Sequence, residues 1–413
     1  MSRLSYYLLP ATILLLIVTA TAAATSPPPI PKFTGILVFG DSTMDTGNNN
    51  HIPLAVFKAN HKPYGGNFPL GHKPTGRFCD GSLIPDMVAG RLNIKQAVPA
   101  YMDPDLTDED IRTGVVFASS GTGYDDLTAA IAQAIPMGKQ VEMFREYIGR
   151  LAGVVGGMEE ANRTVGGALV LISSGTNDFV DNYYDLKIRR LVYDLGQYQD
   201  FLLAKVEAFV KDIYSLGGRL MVVSGLPPIG CLPIQMSASL ELNPHHRSCI
   251  QEQNSESQSY NAKLEKLLPE LQASLPGSKI AYANVYDPLL DIVTEPQKYG
   301  FEETRKGCCG TGLLEAAFLC SPWSPTCGDQ MAAKYVFFDS IHPTEATYRV
   351  LADTLAGQLL SVYSPPPPPS PSPSPSEKLR SVYSPTPSPS PSPSPSPSPS
   401  PSPSPSPSSP IYF

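Results

Sequence analysis

The chain has 413 residues, of which 42% are hydrophobic, and its formal net charge is −8 at pH 7. Its length allows a sizeable buried core, while the acidic balance and the lack of a basic run exclude nucleic acid as an expected partner. Both ends differ in composition from the middle. We therefore expect one folded domain, residues 33–363, between two non-globular segments; that length is large for a single domain but within the range of α/β folds.

The first 24 residues have the layout of a secretory signal peptide. Arg3 gives a positive start, residues 8–20 are apolar, and the next residues are small and rich in alanine. This pattern predicts secretion, with residues 25–32 as a short linker. A membrane anchor is the alternative, but the apolar run is short for a span and no basic stop follows it. No other stretch is apolar enough to predict a transmembrane segment.

The last segment, residues 364–413, consists mainly of serine and proline. Such a sequence has little apolar surface to bury, and proline cannot supply the N–H groups that helices and sheets need. We therefore expect an extended, disordered tail with polyproline II character.

The seven cysteines all follow the predicted signal peptide, so most of them are expected in disulfides. Cys231 and Cys249 are close enough in sequence to close one loop. Cys79 is predicted to be unpaired. A second cluster consists of Cys308, Cys309, Cys320 and Cys327. Zinc is the alternative for this cluster, but no histidine lies near it and the compartment is oxidising, so we expect no metal and no cofactor.

Five short apolar runs predict buried strands at residues 35–39, 114–118, 168–173, 219–224 and 279–285. They are almost continuously apolar rather than alternating, which is typical of a parallel sheet covered on both faces. Helical spacing of apolar residues predicts helices over residues 199–216, 248–275 and 344–360. Strand followed by helix, repeated along the chain, predicts a three-layer α/β/α domain with a mostly parallel five-stranded sheet.

Polar residues follow three of the predicted strands. The first strand leads into Gly40-Asp41-Ser42, the second into residues 119–123, and the third into residues 174–178. Ligands bind outside the carboxyl ends of the strands in open parallel sheets. These residues are therefore predicted to line one functional site.

Ser42, Asp339 and His342 supply the parts of a serine hydrolase. A serine hydroxyl is a weak nucleophile, so an imidazole must accept its proton, and a carboxylate must hold that imidazole in the correct tautomer. Asp339 and His342 are three residues apart and can share one side of a turn. Pro343 disfavours a helical conformation at His342, which predicts a loop before the last helix, with Thr344 as its N-cap.

The oxyanion of such a reaction needs preformed hydrogen-bond donors. The backbone N–H groups of Ser42 and Gly121 and the side-chain amide of Asn177 are predicted to supply them. Each motif alone is more often an ordinary turn or surface loop, but their joint occurrence in this order favours the site. The nucleophile elbow Gly-x-Ser-x-Gly is excluded, because Met44 stands where its second glycine would be.

Four stretches in combination resemble the plant GDSL esterase/lipase family, a branch of the SGNH hydrolases. They are residues 39–49, 116–123, 175–178 and 339–344, with further similar stretches at 75–78, 225–231 and 307–310. The resemblance covers residues 33–361, and the departures are small. Thr43 stands where the family name has leucine, and Ser120 and Thr122 replace small residues around Gly121.

The resemblance implies a flavodoxin-like α/β/α fold, no metal, and hydrolysis of carboxylic esters outside the cell. It implies Ser42, Asp339 and His342 as the triad, with Ser42, Gly121 and Asn177 as the oxyanion hole. Members of the family act on lipids, cutin precursors and acetylated wall sugars, so the resemblance implies esters of these kinds and no single substrate.

The tail resembles cell-wall proteins rather than hydrolases. Residues 364–369 resemble an extensin unit, and the alternating Ser-Pro after them resembles an arabinogalactan-type module. This implies O-glycosylation and leads to the hypothesis that the tail associates with cell-wall polysaccharide. Asn162-Arg163-Thr164 is an N-glycosylation acceptor sequence.

Two other functions remain open from the sequence. An extracellular acyltransferase would use the same triad with a different acceptor. A structural cell-wall glycoprotein would carry an inert hydrolase domain, although such a domain has no chemical need for the complete set of site residues.

Overall fold

A computed structural model describes residues 32–238 and 247–363 of the chain. The predicted signal peptide, nearly all of the predicted linker and the Ser-Pro tail lie outside the described residues. None of the helices within these ranges combines the length and the apolar composition that are needed to cross a membrane.

The main sheet is parallel, and its strands follow one another in chain order. Its strands are β1 (Ile36–Gly40), β2 (Leu169–Ser173), β3 (Leu220–Ser224) and β4 (Lys279–Ala283). The register pairs Val38 with Leu171 and Leu171 with Val222. Four of the five predicted strands are thus confirmed as neighbours in one parallel sheet, with their carboxyl ends at the same edge.

The strand predicted at residues 114–118 is reduced to a single bridge beside β1, where Val116 pairs in parallel with Val38. Backbone hydrogen bonds continue along this side, from Val38 N–H to the Val115 carbonyl and from Phe117 N–H to the Val38 carbonyl. On its other side Val116 forms a second isolated bridge, with Ala100, in which the Val116 N–H donates to the Pro99 carbonyl and the Tyr101 N–H donates to the Val116 carbonyl. With this segment flanking β1, the strand order is flavodoxin-like.

Helices cover both faces of the sheet. They are α1 (Ile84–Arg91), α2 (Asp108–Thr113), α3 (Asp126–Ala132), α4 (Met137–Val155), α5 (Met158–Gly167), α6 (Leu195–Ser215), α7 (Pro233–Ala238), α8 (Gln251–Ser274), α9 (Tyr286–Thr294), α10 (Asp329–Ala332) and α11 (Glu345–Tyr363). The three predicted helices correspond to α6, α8 and α11.

The two helical layers are distinguished by the strand side chains that they cover. On one face, Phe39 of β1 packs edge-on against Phe144 of α4 and Phe209 of α6, with ring centroids 5.5 and 5.6 Å apart. Helix α8 packs beside α6 in that layer, whereas α1, α9 and α11 pack together on the other side. The predicted three-layer α/β/α architecture is confirmed.

A small second sheet leads into the Asp339 turn. It consists of β5 (Glu303–Gly307) and β6 (Tyr335–Phe337), which run parallel. The loop between them carries the disulfides Cys308–Cys327 and Cys309–Cys320, while Cys231–Cys249 closes a separate loop. The predicted Cys231–Cys249 pair is confirmed, and the cysteines of the second cluster, whose pairing the sequence left open, form two disulfides with the sulfur atoms that a zinc site would need. Cys79 is unpaired and buried, also as predicted.

Candidate active site

Ser42 lies in a tight turn that begins where β1 ends. Gly40 has φ +135°, and a Cβ there would come within 1.8 Å of the Ser173 carbonyl oxygen, so only glycine allows this close approach of β1 and β2. Asp41 accepts hydrogen bonds from Thr43 N–H and Thr43 Oγ1 at 3.0 and 2.8 Å. This side chain therefore closes the turn locally and fixes the position of Ser42 at the edge of the sheet.

Asp339 and His342 lie in a second tight turn, directly after β6. Asp339 Oδ1 accepts from the backbone N–H groups of Ile341 and His342 at 2.8 and 2.7 Å. The Phe338 N–H donates to the His342 carbonyl at 2.7 Å and closes the turn. Thr344 then accepts from the Thr347 N–H at 3.3 Å and caps α11, as the sequence predicts.

The two turns bring the three predicted triad side chains together. His342 Nε2 lies 2.8 Å from Ser42 Oγ, and His342 Nδ1 lies 2.7 Å from Asp339 Oδ2. All three residues are buried. Because the carboxylate accepts at Nδ1, the neutral imidazole leaves Nε2 free to accept the serine proton, which is the geometry of a nucleophile and its base.

Tyr64 and Phe78 support this pair of turns. Nothing in the sequence singles out Tyr64, whereas Phe78 ends the family-like stretch 75–78, to which the sequence assigns no role. The fully buried Tyr64 hydroxyl donates to Asp339 Oδ2 at 2.8 Å and accepts from the Ala317 N–H at 2.9 Å. The Phe78 ring lies against the His342 imidazole, with ring centroids 4.7 Å apart. These contacts hold the carboxylate and the imidazole in place.

Asn177 lies at the mouth of the same site, whereas Gly121 lies in a loop behind it. Asn177 follows β2 and lines the cavity beside Ser42, and its amide donates one hydrogen bond to the Thr122 carbonyl at 2.8 Å. The second hydrogen of that NH₂ group remains available. Gly121 has φ +87°, and within residues 32–238 and 247–363 no side chain or carbonyl takes up its N–H. It is not among the residues that line the cavity.

Buried carboxylates join the three loops. Asp45 accepts from the Ser120 N–H and hydroxyl at 3.0 and 2.8 Å, which ties the Ser42 turn to the Gly121 loop. Asp178 accepts from the Tyr124 N–H at 2.7 Å, which ties the Asn177 turn to the same loop. Burial raises the pKa of the Asp178 carboxyl to about 8 and raises the pKa of Asp45 as well. These motif residues position the loops rather than face the cavity.

Asp41 lies on the cavity wall beside the serine. Burial raises the pKa of its carboxyl to about 6, and the hydrogen bonds from Thr43 and the nearby His342 oppose this rise. Ser174 and Tyr348 also line the cavity, and their buried hydroxyl groups have no hydrogen-bond partner within the described ranges.

Other predicted positions lie apart from this site. Asn162 is exposed on α5, where its sequon remains a prediction. His51, His61 and His72 are not in contact with the triad, and His245 and His246 lie outside the described residues. In the part of the chain that the structure describes, no three His, Cys, Asp or Glu side chains are grouped as metal ligands.

Comparison with known proteins identifies the family of the chain. The family described as GDSL-like Lipase/Acylhydrolase matches residues 36–355. One GDSL esterase/lipase of Arabidopsis thaliana is 52% identical over 330 residues, which is 80% of this chain and 90% of the relative. A second from the same plant is 51% identical over 326 residues, 79% of this chain and 89% of its own length. The chain therefore belongs to the plant GDSL esterase/lipase family.

Proposed function

We propose that the protein hydrolyses carboxylic esters with Ser42 as the nucleophile, His342 as the general base and Asp339 as its partner. The observation that carries this proposal is the continuous chain of contacts from Ser42 Oγ through both imidazole nitrogens to the Asp339 carboxylate, 2.8 and 2.7 Å long. Membership of the family makes the protein a carboxylic ester hydrolase, so the proposal concerns which residues carry out that reaction.

The reaction follows from the geometry. Ser42 Oγ attacks the ester carbonyl carbon while its proton passes to His342 Nε2. The C–O bond to the alcohol then breaks, and the alcohol leaves with the proton from His342. Water attacks the acyl-enzyme and gives a proton to Nε2, and collapse of the second tetrahedral intermediate releases the carboxylic acid as Ser42 regains its proton.

The developing oxyanion would be stabilised by Asn177 and by the backbone N–H groups of Ser42 and Gly121. Support comes from the free hydrogen on the Asn177 amide and from the unpaired N–H of Gly121 within the described ranges. Gly121 is set back from the cavity wall, so Asn177 and the Ser42 N–H would contribute most. Donors that are already oriented stabilise the transition state without reorganisation.

We place this activity outside the cell. The signal-like N-terminus and the three disulfides are both typical of a secreted chain. The serine- and proline-rich tail would associate with wall polysaccharide, and Asn162 would carry an N-glycan. Deleting residues 364–413 should move the protein from the wall fraction to the soluble extracellular fraction; unchanged retention would contradict the tethering role.

The central experiment compares the wild type with Ser42→Ala on p-nitrophenyl acetate. Replacing a triad serine removes the covalent route, so kcat should fall by about 10⁴-fold or more. Ser174→Ala is the matched control, because Ser174 lines the same cavity but does not contact His342 in the described structure. Full activity in Ser42→Ala would refute the assignment, and an inactive wild type would favour the structural-glycoprotein alternative.

A further inference from the structure

An apolar cavity runs from Ser42 into the interior, between the main sheet and α11. It opens at Ser42, Asn177 and His342, and its volume is about 90 Å³. A water-sized group needs roughly 10–15 Å³, so the cavity has room for about six to nine such groups. Nothing in the mechanism uses this space, because the reacting atoms all lie at its mouth.

The direction of the cavity follows from the direction of α11. This helix begins beside His342, at the carboxyl ends of the strands, and ends at Tyr363, whose hydroxyl donates to the Met221 carbonyl near the start of β3. Along the helix, Tyr348 and the leucines at 351, 355 and 359 line the cavity. At 1.5 Å per residue, they span roughly 16 Å from the mouth inwards.

The strand residues that line the cavity have small side chains near the mouth and larger aliphatic side chains deeper in. Next to Ser42 the sheet presents small side chains, including Ser224 and Ala283, which are paired in the register of β3 and β4. One layer deeper it presents Leu171 and Val222, which are paired across β2 and β3. Small residues near the mouth leave an entrance that larger side chains would fill.

The charged groups of the lining are confined to the mouth. Within the described ranges, Asp41 and His342 are the lining residues that can carry a charge near neutral pH, and both adjoin Ser42. Further in, a polar substrate group would lose its hydration without finding a partner, which is strongly unfavourable. An apolar chain has no hydrogen bonds to water to lose, and each methylene that leaves water increases the binding constant about fourfold.

We propose that this cavity is the acyl-chain site and that the protein acts on esters of medium-chain acyl groups, about seven to ten carbons long when the carbonyl carbon at Ser42 is counted. This inference rests on the proposed role of Ser42, since the acyl carbonyl must lie at the serine while the chain extends along α11. An extended chain advances roughly 1.2 Å per bond, so the 16 Å lining is an upper limit of about 13 bonds. The cavity volume sets the shorter range.

The test measures kcat/KM for p-nitrophenyl acetate, octanoate and palmitate with the wild type and Leu355→Phe. The phenylalanine ring would fill the cavity midway along α11, away from the triad. We expect kcat/KM of the wild type to be at least tenfold higher for octanoate than for acetate. It should also be higher for octanoate than for palmitate. Leu355→Phe should lower the octanoate value at least tenfold and leave the acetate value within twofold.

Leu271→Phe is the matched control, because Leu271 is buried on α8, which contributes no residue to the cavity. It should change the three esters by one common factor. A wild type without chain-length preference, or a Leu355→Phe variant that keeps its octanoate activity, would overturn the acyl-chain site. Acetate hydrolysis that depends on Ser42 keeps the proposed triad intact in either case, so the two failures are distinguishable.

Discussion

The Tyr64 hydroxyl donates a hydrogen bond to Asp339 Oδ2 at 2.8 Å, across 275 positions in the sequence. The carboxylate thus receives the His342 Nδ1–H, two backbone N–H groups and a phenol. Hydrogen bonds to a buried carboxylate stabilise its charged form. Tyr64 therefore adjusts the partner of the proposed base without reaching the substrate, which makes it a positioning residue.

Tyr64→Phe should lower kcat on p-nitrophenyl acetate about tenfold, with little change in KM. Without the phenol the Asp339 carboxylate loses one of its hydrogen bonds, so the imidazole is held less well for the chemical step, whereas Tyr64 does not reach the substrate. The measurement is steady-state kinetics, with kcat and KM determined separately.

Tyr147→Phe is the control for loss of a buried hydroxyl, since Tyr147 donates to the Ile111 carbonyl far from the site. Both variants should lose about 1–2 kcal/mol of unfolding free energy. Tyr147→Phe should keep the wild-type kcat, and a Tyr64→Phe variant that also keeps it would show that Tyr64 is only structural.

Asp41→Asn should abolish part of the loss in unfolding free energy that the wild type shows as pH rises from 4 to 7. The Asp41 pKa is raised from 3.8 to about 6 by burial, so the folded protein binds this proton more tightly than the unfolded chain does. The stability that the folded protein gains by binding this proton is complete below about pH 4 and is lost as pH rises through 6. The wild type should therefore lose about 3 kcal/mol relative to Asp41→Asn over this interval, at about 1.4 kcal/mol per pKa unit.

Urea unfolding between pH 4 and pH 7 measures this difference. Asparagine keeps an oxygen that can accept from Thr43, so the turn should survive the substitution. Asp212→Asn, on the exposed face of α6, should follow the wild type at each pH. Parallel curves for the wild type and Asp41→Asn would contradict the raised pKa.

Asn177→Ala should lower kcat by about 10²–10³-fold with little change in KM, because an oxyanion donor acts mainly in the transition state. Asn182→Ala is the matched control; Asn182 is a buried asparagine that donates to Thr128 Oγ1 at 2.7 Å. Steady-state kinetics on p-nitrophenyl acetate separates the two. Equal losses of kcat would mean that Asn177 supports the loop rather than the oxyanion.

The strands and the two turns were predictable from sequence because local patterns define them. Continuous apolar runs predicted β1 to β4, and Gly40-Asp41-Ser42 predicted a polar turn at a strand end. The run at 114–118 looks equally apolar, but its ladder with β1 is interrupted where the Gly40 N–H donates to Gln140 Oε1, a side chain that is distant in sequence. The length of a hydrogen-bonded ladder depends on both strands that pair. An apolar run in the sequence gives information on only one of them.

The supporting residues could not be predicted for the same physical reason. Tyr64 lies in a loop region without periodicity, and the family-like stretch that ends at Phe78 carries no sign of a role, because both residues act only when the Asp339 turn packs against them. Asp45 and Asp178 were visible inside motifs, but nothing local distinguishes a carboxylate that binds backbone N–H groups from one that faces a substrate. The cavity beneath α11 likewise depends on the packing of helix against sheet.

The most direct test of the central claim is covalent labelling with an alkyl fluorophosphonate, followed by peptide mass spectrometry. Ser42 Oγ should attack phosphorus and displace fluoride, because His342 removes its proton as the bond forms. We predict one phosphonate adduct, on the peptide that contains Ser42, and no adduct in Ser42→Ala. An adduct on another residue, or equal labelling of Ser42→Ala, would contradict the account.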